Sequence, residues 1–149
     1  MRAKGSRITT SGSTGYALTS RRALRNLLDG IEITRDDAFL DIGCGKGGVC
    51  CFAAEYEFGD IAGIDTEQWL IDRATKNIDA LGLTDRVKVE RADATTYNNY
   101  SLFNFFFLFN PFDSETYDRV VERIASQVQA ASRPIWIICY GDFSDQAIT

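Results

Sequence analysis

Residues Phe39–Gly48 read F-L-D-I-G-C-G-K-G-G: a short apolar run carrying one acid, Asp41, then four glycines within six residues. A helical period of apolar residues begins directly afterwards at Val49. Glycine costs roughly 0.5–1 kcal/mol wherever its freedom is not used, so four together imply backbone at positive φ or pressed close to a ligand. An apolar strand turning sharply into a helix also leaves free N–H groups at the turn, aimed at whatever binds there. The alternative is a glycine-rich turn that holds nothing. The stretch predicts a ligand cradle at the end of a parallel strand.

The rest of the chain alternates in the same way. Strands are predicted at Phe39–Ile42, Ile61–Ile64, Val87–Glu90, Ser101–Phe109 and Pro134–Tyr140. Helices are predicted at Tyr16–Asp29, Lys46–Phe58, Glu67–Leu81 and Ser114–Ala130, each with apolar residues at i, i+3, i+4 spacing. The run F-N-F-F-F-L-F at Phe103–Phe109 has the composition of a strand covered on both faces. Alternation of this kind gives an α/β fold with a doubly wound, mainly parallel sheet of five strands and helices on both faces. At 149 residues it is one domain, residues 16–149, behind a Gly/Ser/Thr-rich arm without periodicity, residues 1–15, which is expected to be mobile. In the doubly wound order the first and fourth strands are neighbours, and ligands bind beyond their C-terminal ends.

Gly43, Gly45 and Gly48 fit the G-x-G-x-x-G spacing of dinucleotide sites, which keeps an NAD-type domain open as one reading. The residue two before the first glycine argues otherwise. It is normally apolar in a dinucleotide site, whereas Asp41 suits a cofactor with a cationic amino-acid end. The run D-I-G-C-G-K-G resembles the first motif of class I, Rossmann-like S-adenosylmethionine-dependent methyltransferases. That resemblance covers roughly Tyr16–Tyr140 and implies S-adenosylmethionine as cofactor, held by Asp41, Gly43, Cys44 (through its backbone N–H) and Gly45. A non-catalytic module of the same fold that only holds the cofactor is the second reading.

Other rim residues follow from the strand ends. Asp65, with Thr66 after it, stands 22 positions past Gly43, where a carboxylate can accept both hydroxyls of a ribose. Capping the next helix is its alternative role. Asp93 would accept from an adenine amino group and Ala94 would offer its N–H to the ring; a turn-forming Asp is the alternative. Asn110-Pro111-Phe112 resembles the N-P-P-[YFW] signature of amino-group methyltransferases, with one proline instead of two and the aromatic one place earlier. It implies that Asn110 orients an acceptor amine and Phe112 stacks on it; a strand-ending turn is the alternative. Gly15–Ser20 is similar to a segment that folds over the methionine end in such enzymes, implying contacts from Tyr16 and Thr19.

Charge is uneven. Residues 1–28 hold six basic side chains and no acid, and the remainder holds ten basic and 21 acidic ones. A basic arm on an acidic body suits an anionic partner such as nucleic acid, or serves only as a solvated face. The four cysteines form no C-x-x-C pair and there is no histidine, so no metal site is expected. Apolar runs are too short to span a bilayer and no targeting segment is visible, which predicts a cytoplasmic protein without membrane contact. The family's sheet usually ends in a hairpin after the fifth strand. Only nine residues follow Tyr140, so either a minimal chain or one stopping short of that hairpin is expected. The methyl acceptor and the oligomeric state are not legible.

Overall fold

Ala38–Ile42 forms β3, a strand buried at all five positions. Such burial is possible only in the middle of a covered sheet, and β3 lies there. It pairs in parallel with β4 (Asp60–Asp65) on one side and with β6 (Phe105–Phe109) on the other. The computed structural model describes residues 7–10, 13–18, 21–109, 113–128 and 133–140. Within them β5 (Val87–Arg91) lies outside β4, and β7 (Ile135–Tyr140) lies outside β6. The chain winds outward from β3 to β5, then returns to β6 on the other side of β3. The five expected parallel strands and the reversal point between the first and fourth are therefore present.

Two further strands extend the sheet, in the order β1-β2-β7-β6-β3-β4-β5. β1 (Arg7–Thr10) pairs antiparallel with β2 (Ser13–Leu18), and β2 runs parallel to β7, Tyr16 opposite Ile138. This corrects two expectations: residues 7–10 and 13–15 are not part of a structureless arm, and Tyr16 stands within a strand, not at a helix start. The reason is tertiary. The Ser/Thr/Gly-rich segment has no apolar period of its own, yet the open edge of β7 offers backbone partners that composition does not reveal.

Helices cover both faces. α1 (Arg21–Asp29), α2 (Gly48–Ala53) and α3 (Gln68–Ala80) pack on one face through Leu24, Leu28, Cys50, Phe52, Ile71 and Ile78. α4 (Ser114–Val128) and a short 3-10 turn (Tyr100–Leu102) cover the other, with Val120, Ile124 and Tyr100 against Leu40, Ile42 and Phe106. Phe58 is central to the first face, its ring 5.3 Å from Phe39 and 4.9 Å edge-on to Phe105. Each fully buried apolar side chain stabilises the fold by about 1.5–3 kcal/mol.

Two further element boundaries differ from the sequence pattern by several residues. α2 stops at Ala53 instead of running to Phe58. The chain must turn so that the Gly59 N–H reaches the Asp37 carbonyl at 2.9 Å, and a Cβ on Gly59 would collide with the Arg35 carbonyl. β6 begins at Phe105 rather than Ser101 because Asn104, 1% exposed, holds the sheet's lower edge together. Its Oδ1 accepts from the Ala38 N–H at 2.8 Å, and its Nδ2 donates to Asp37 Oδ1 at 2.8 Å and to the Pro134 carbonyl at 3.3 Å. One side chain thus ties the starts of β3, β6 and β7.

Candidate functional site

The glycine loop leaves β3 where the winding reverses. Gly43, Gly45 and Gly47 have φ of 80°, 52° and 84°, while no non-glycine described residue has a positive φ. The turn therefore needs glycine at alternate positions. Gly43 and Cys44 both donate their N–H to the Ile64 carbonyl, at 2.8 and 2.9 Å, which fastens the loop to β4. A Cβ on Gly45 would meet no protein atom within 4 Å, so that backbone faces open space. A Cβ on Gly47 would press to 3.2 Å from the Ala74 Cβ, so this glycine serves helix packing.

Asp65, at the C-terminal end of β4, is the latch. Its Oδ2 accepts from the Gly45 N–H at 3.0 Å and its Oδ1 from the Glu67 N–H at 3.0 Å. One carboxylate joins the glycine loop to the start of α3. Each oxygen keeps acceptor capacity beyond the one bond it makes. The cap position of α3 is Glu67, with no side-chain cap bond, so Asp65 stands two residues before the helix cap.

Asp41 lies beneath the loop, opposite Gly63 and Phe107 in the sheet register. It is 2% exposed, and among the described residues its Oδ1 has no hydrogen-bond partner. Among the described residues its Oδ2 receives only a long contact from the Cys50 thiol, at 3.9 Å. Burial, and then the negative charge of Asp65, push the Asp41 carboxyl up to about 7, against a small lowering by Cys50. A buried carboxylate without donors is costly, so it persists where its charge is used. Asp41 and Asp65 together make the ground under the loop negative, which suits a cationic group.

Burial first, and Asp41 second, raise the neighbouring thiols; Cys44 is pushed up to about 12. These are inert, packed cysteines. The expected offer of the Cys44 N–H to a ligand is corrected, since that group already bonds Ile64.

At the end of β5, Asp93 Oδ1 accepts from the Thr95 N–H at 2.8 Å and the Thr95 hydroxyl at 2.7 Å. These two bonds hold its carboxyl below the usual range and form the turn that was its alternative role. The Ala94 carbonyl accepts from the Tyr100 hydroxyl at 2.7 Å. Thr66 is exposed beside the latch, its carbonyl taken by Arg91 Nε at 3.1 Å. The structure thus brings Asp41, Gly43, Gly45, Asp65 and Thr66 together at the ends of β3 and β4, with Asp93 and Ala94 at the neighbouring end of β5. Thr19, Asn110, Pro111 and Phe112 lie outside the described residues, and of Tyr16 only the backbone in β2 is described.

Three contributors escaped sequence reasoning. Gly63 is needed because a Cβ there would lie 2.7 Å from the Cys44 Cβ and 2.8 Å from the Cys50 Sγ. Cys50 is the thiol facing Asp41. Asn104 clamps the opposite edge. A polar Asn inside an otherwise apolar run was the available signal for the last; the first two carry none without the register. Among the described residues no group of three or more His, Cys, Asp or Glu could hold a metal, and no helix is long and apolar enough to cross a membrane.

Comparison with known proteins agrees with the fold. A family model described as a methyltransferase domain matches residues 33–133. A protein-lysine N-methyltransferase of Saccharolobus islandicus is 27% identical over 79 residues, which is 52% of this chain and 49% of that protein. The chain thus spans about half the length of the curated relative it matches. Among solved structures, an RNA methyltransferase from Salinibacter ruber in complex with S-adenosyl-L-homocysteine superposes with TM-score 0.65 at 18% identity, covering 87% of this chain and 81% of that one. A SAM-dependent methyltransferase from Geobacter sulfurreducens, also with S-adenosyl-L-homocysteine, gives 0.63 at 23% identity over 83% of this chain and 49% of that one. At such identities the likeness is one of fold.

Proposed function

Because the chain belongs to the methyltransferase domain family, we propose that it binds S-adenosylmethionine at the glycine loop and transfers the methyl group to an acceptor. One observation carries this: the open backbone at Gly45, latched by Asp65, stands near a buried carboxylate, Asp41, whose Oδ1 lacks a donor among the described residues. An anionic ligand end would be repelled by that charge and a neutral donor would gain less from it than an ammonium end. The residues therefore fit the cofactor. When bound, it supplies an electrophilic methyl group on a sulfonium.

The protein's own part is positioning. Gly43 and Gly45 let ligand approach the backbone, Asp65 accepts ribose hydroxyls while holding the loop, and Asp93 stands near the adenine end. Asn110 orients an acceptor nitrogen and Phe112 stacks on a planar acceptor, a role supported by the resemblance of Asn110-Pro111-Phe112 to amino-group methyltransferases. Orientation needs no strong base, in keeping with a chain that has no histidine. Nucleic acid is the acceptor class that the basic residues 1–28 favour. The four free cysteines support a reducing compartment such as the cytoplasm.

Calorimetric titration with S-adenosylmethionine, S-adenosylhomocysteine and NAD tests the cofactor. The first two should bind wild type, and Asp65→Ala should weaken them by about 1–3 kcal/mol, the loss expected for a hydrogen-bonded charge. Tighter binding of NAD would overturn the proposal. Labelled-methyl transfer to RNA, DNA, protein and small amines tests catalysis. Cofactor binding with no transfer to any acceptor would identify a non-catalytic binding module instead.

A further inference from the structure

A concave surface lies among the helices on one face of the sheet. It is an open cleft of about 570 Å³ between α1, α2 and α3, and it reaches the glycine loop at Lys46 and Gly48. Its charged lining is Arg21, Arg25, Lys46 and Glu55. Arg25 is engaged, paired with Glu55 at 3.2 Å and stacked 4.8 Å over the Phe52 ring. Arg21 and Lys46 are exposed and form no ion pair among the described residues. Asn77 adds an amide whose Nδ2 is held by the Lys46 carbonyl at 3.0 Å, and Leu81, 62% exposed, adds an apolar wall.

We infer that this cleft binds the phosphodiester backbone of nucleic acid, with Arg21 and Lys46 as the phosphate contacts. Two observations select that ligand. First, the shape: small-molecule pockets enclose most of their ligand, whereas here Arg21, Arg25, Lys46, Asn77 and Leu81 are all exposed, as suits a strand lying across a surface. Second, the charge: beyond residue 28 the chain holds ten basic and 21 acidic side chains, so a polyanion is repelled from most of the body. The basic face formed by Arg21, Arg22 and Arg25 of α1, joined by Lys46, is where it is admitted. The acidic balance therefore sharpens localisation instead of opposing binding.

The inference deepens the proposed acceptor class but needs no bound cofactor, so the two fail separately. Fluorescence anisotropy of labelled 15-mers of oligo(U) and oligo(dT) is measured with the whole chain across a salt series. Wild type should bind one or both, with affinity falling as salt rises. The double variant Arg21→Ala/Lys46→Ala should lose about tenfold or more at low salt. Its log–log salt slope should shrink by about 1.4, two contacts at roughly 0.7 each for single strands. The control Lys76→Ala/Lys88→Ala removes the same charge outside the cleft and should keep the wild-type slope. Calorimetry with S-adenosylmethionine should give equal affinity in wild type, the control and the single variant Arg21→Ala, which lies outside the glycine loop. The inference is overturned if neither oligomer binds, if the cleft variant keeps the wild-type slope, or if the control loses as much. It is also overturned if phosphatidylserine vesicles bind more tightly than both oligomers. Loss of cofactor affinity in wild type alone would instead sink the proposed function and leave the cleft standing.

Discussion

Replacing Asp41 by Asn should make the ligand-free protein more stable and at the same time unable to hold the cofactor. In the folded chain burial and Asp65 push the Asp41 carboxyl from 3.8 to about 7. In the unfolded chain it ionises near its ordinary value, about 4. The folded state therefore holds the proton more tightly, and stability falls as pH rises between those two values. The full loss, reached above pH 7, is a shift of about three units at 1.36 kcal/mol each, or about 4 kcal/mol. About 3 kcal/mol of that falls between pH 5 and 8. Asn keeps the shape and carries no charge, so the stability difference between Asp41→Asn and wild type should grow by that amount over the same range. For a chain of this size it corresponds to roughly 6–12 °C in melting temperature. Urea unfolding of both proteins without ligand at pH 5, 6, 7 and 8 measures it, because other titrating groups cancel in the difference. A flat difference across pH would refute the reasoning, since Asp41 would then have a donor that keeps it ionised. Binding of S-adenosylmethionine by a folded Asp41→Asn protein at wild-type affinity would refute the role given to its charge.

Gly45→Val puts a β-branched residue at φ 52°, with nothing of the protein in its way. It should cost about 1–2 kcal/mol in stability and abolish cofactor binding by calorimetry. Gly63→Ala places a methyl 2.7 Å from the Cys44 Cβ and should destabilise by about 1–3 kcal/mol in urea unfolding. Asn104→Ala leaves the buried Ala38 N–H without its acceptor and should cost about 2 kcal/mol or more, with cofactor affinity retained in the folded fraction. Asn110→Ala should leave cofactor affinity nearly intact and lower the transfer rate by about two orders of magnitude, as for a contact made mainly in the transition state. Full activity on the true acceptor would reduce Asn110-Pro111-Phe112 to a turn.

What the sequence by itself determined is the local grammar of the site. Alternating apolar runs and helical periods, punctuated by Gly43 and Gly45, specify a parallel α/β sheet because each period is a statement about which face must be buried. The D-I-G-C-G-K-G run located the loop, since only glycine takes φ of 80°, 52° and 84° without strain. What only the tertiary structure decided are the relations between distant segments. Asp65 was legible as a rim acid, but that its carboxylate holds the Gly45 N–H depends on how β3 and β4 sit side by side. Asp41 was legible as an unusual acid, but its lack of a donor is a property of the packing of Cys50 and Gly63 around it. Ser13–Leu18 carries no strand signal of its own and becomes a strand because β7 leaves an edge to be paired. Local patterns encode which residues must be buried or turned; hydrogen-bond partners and isolated charges are set by neighbours that come from elsewhere in the chain.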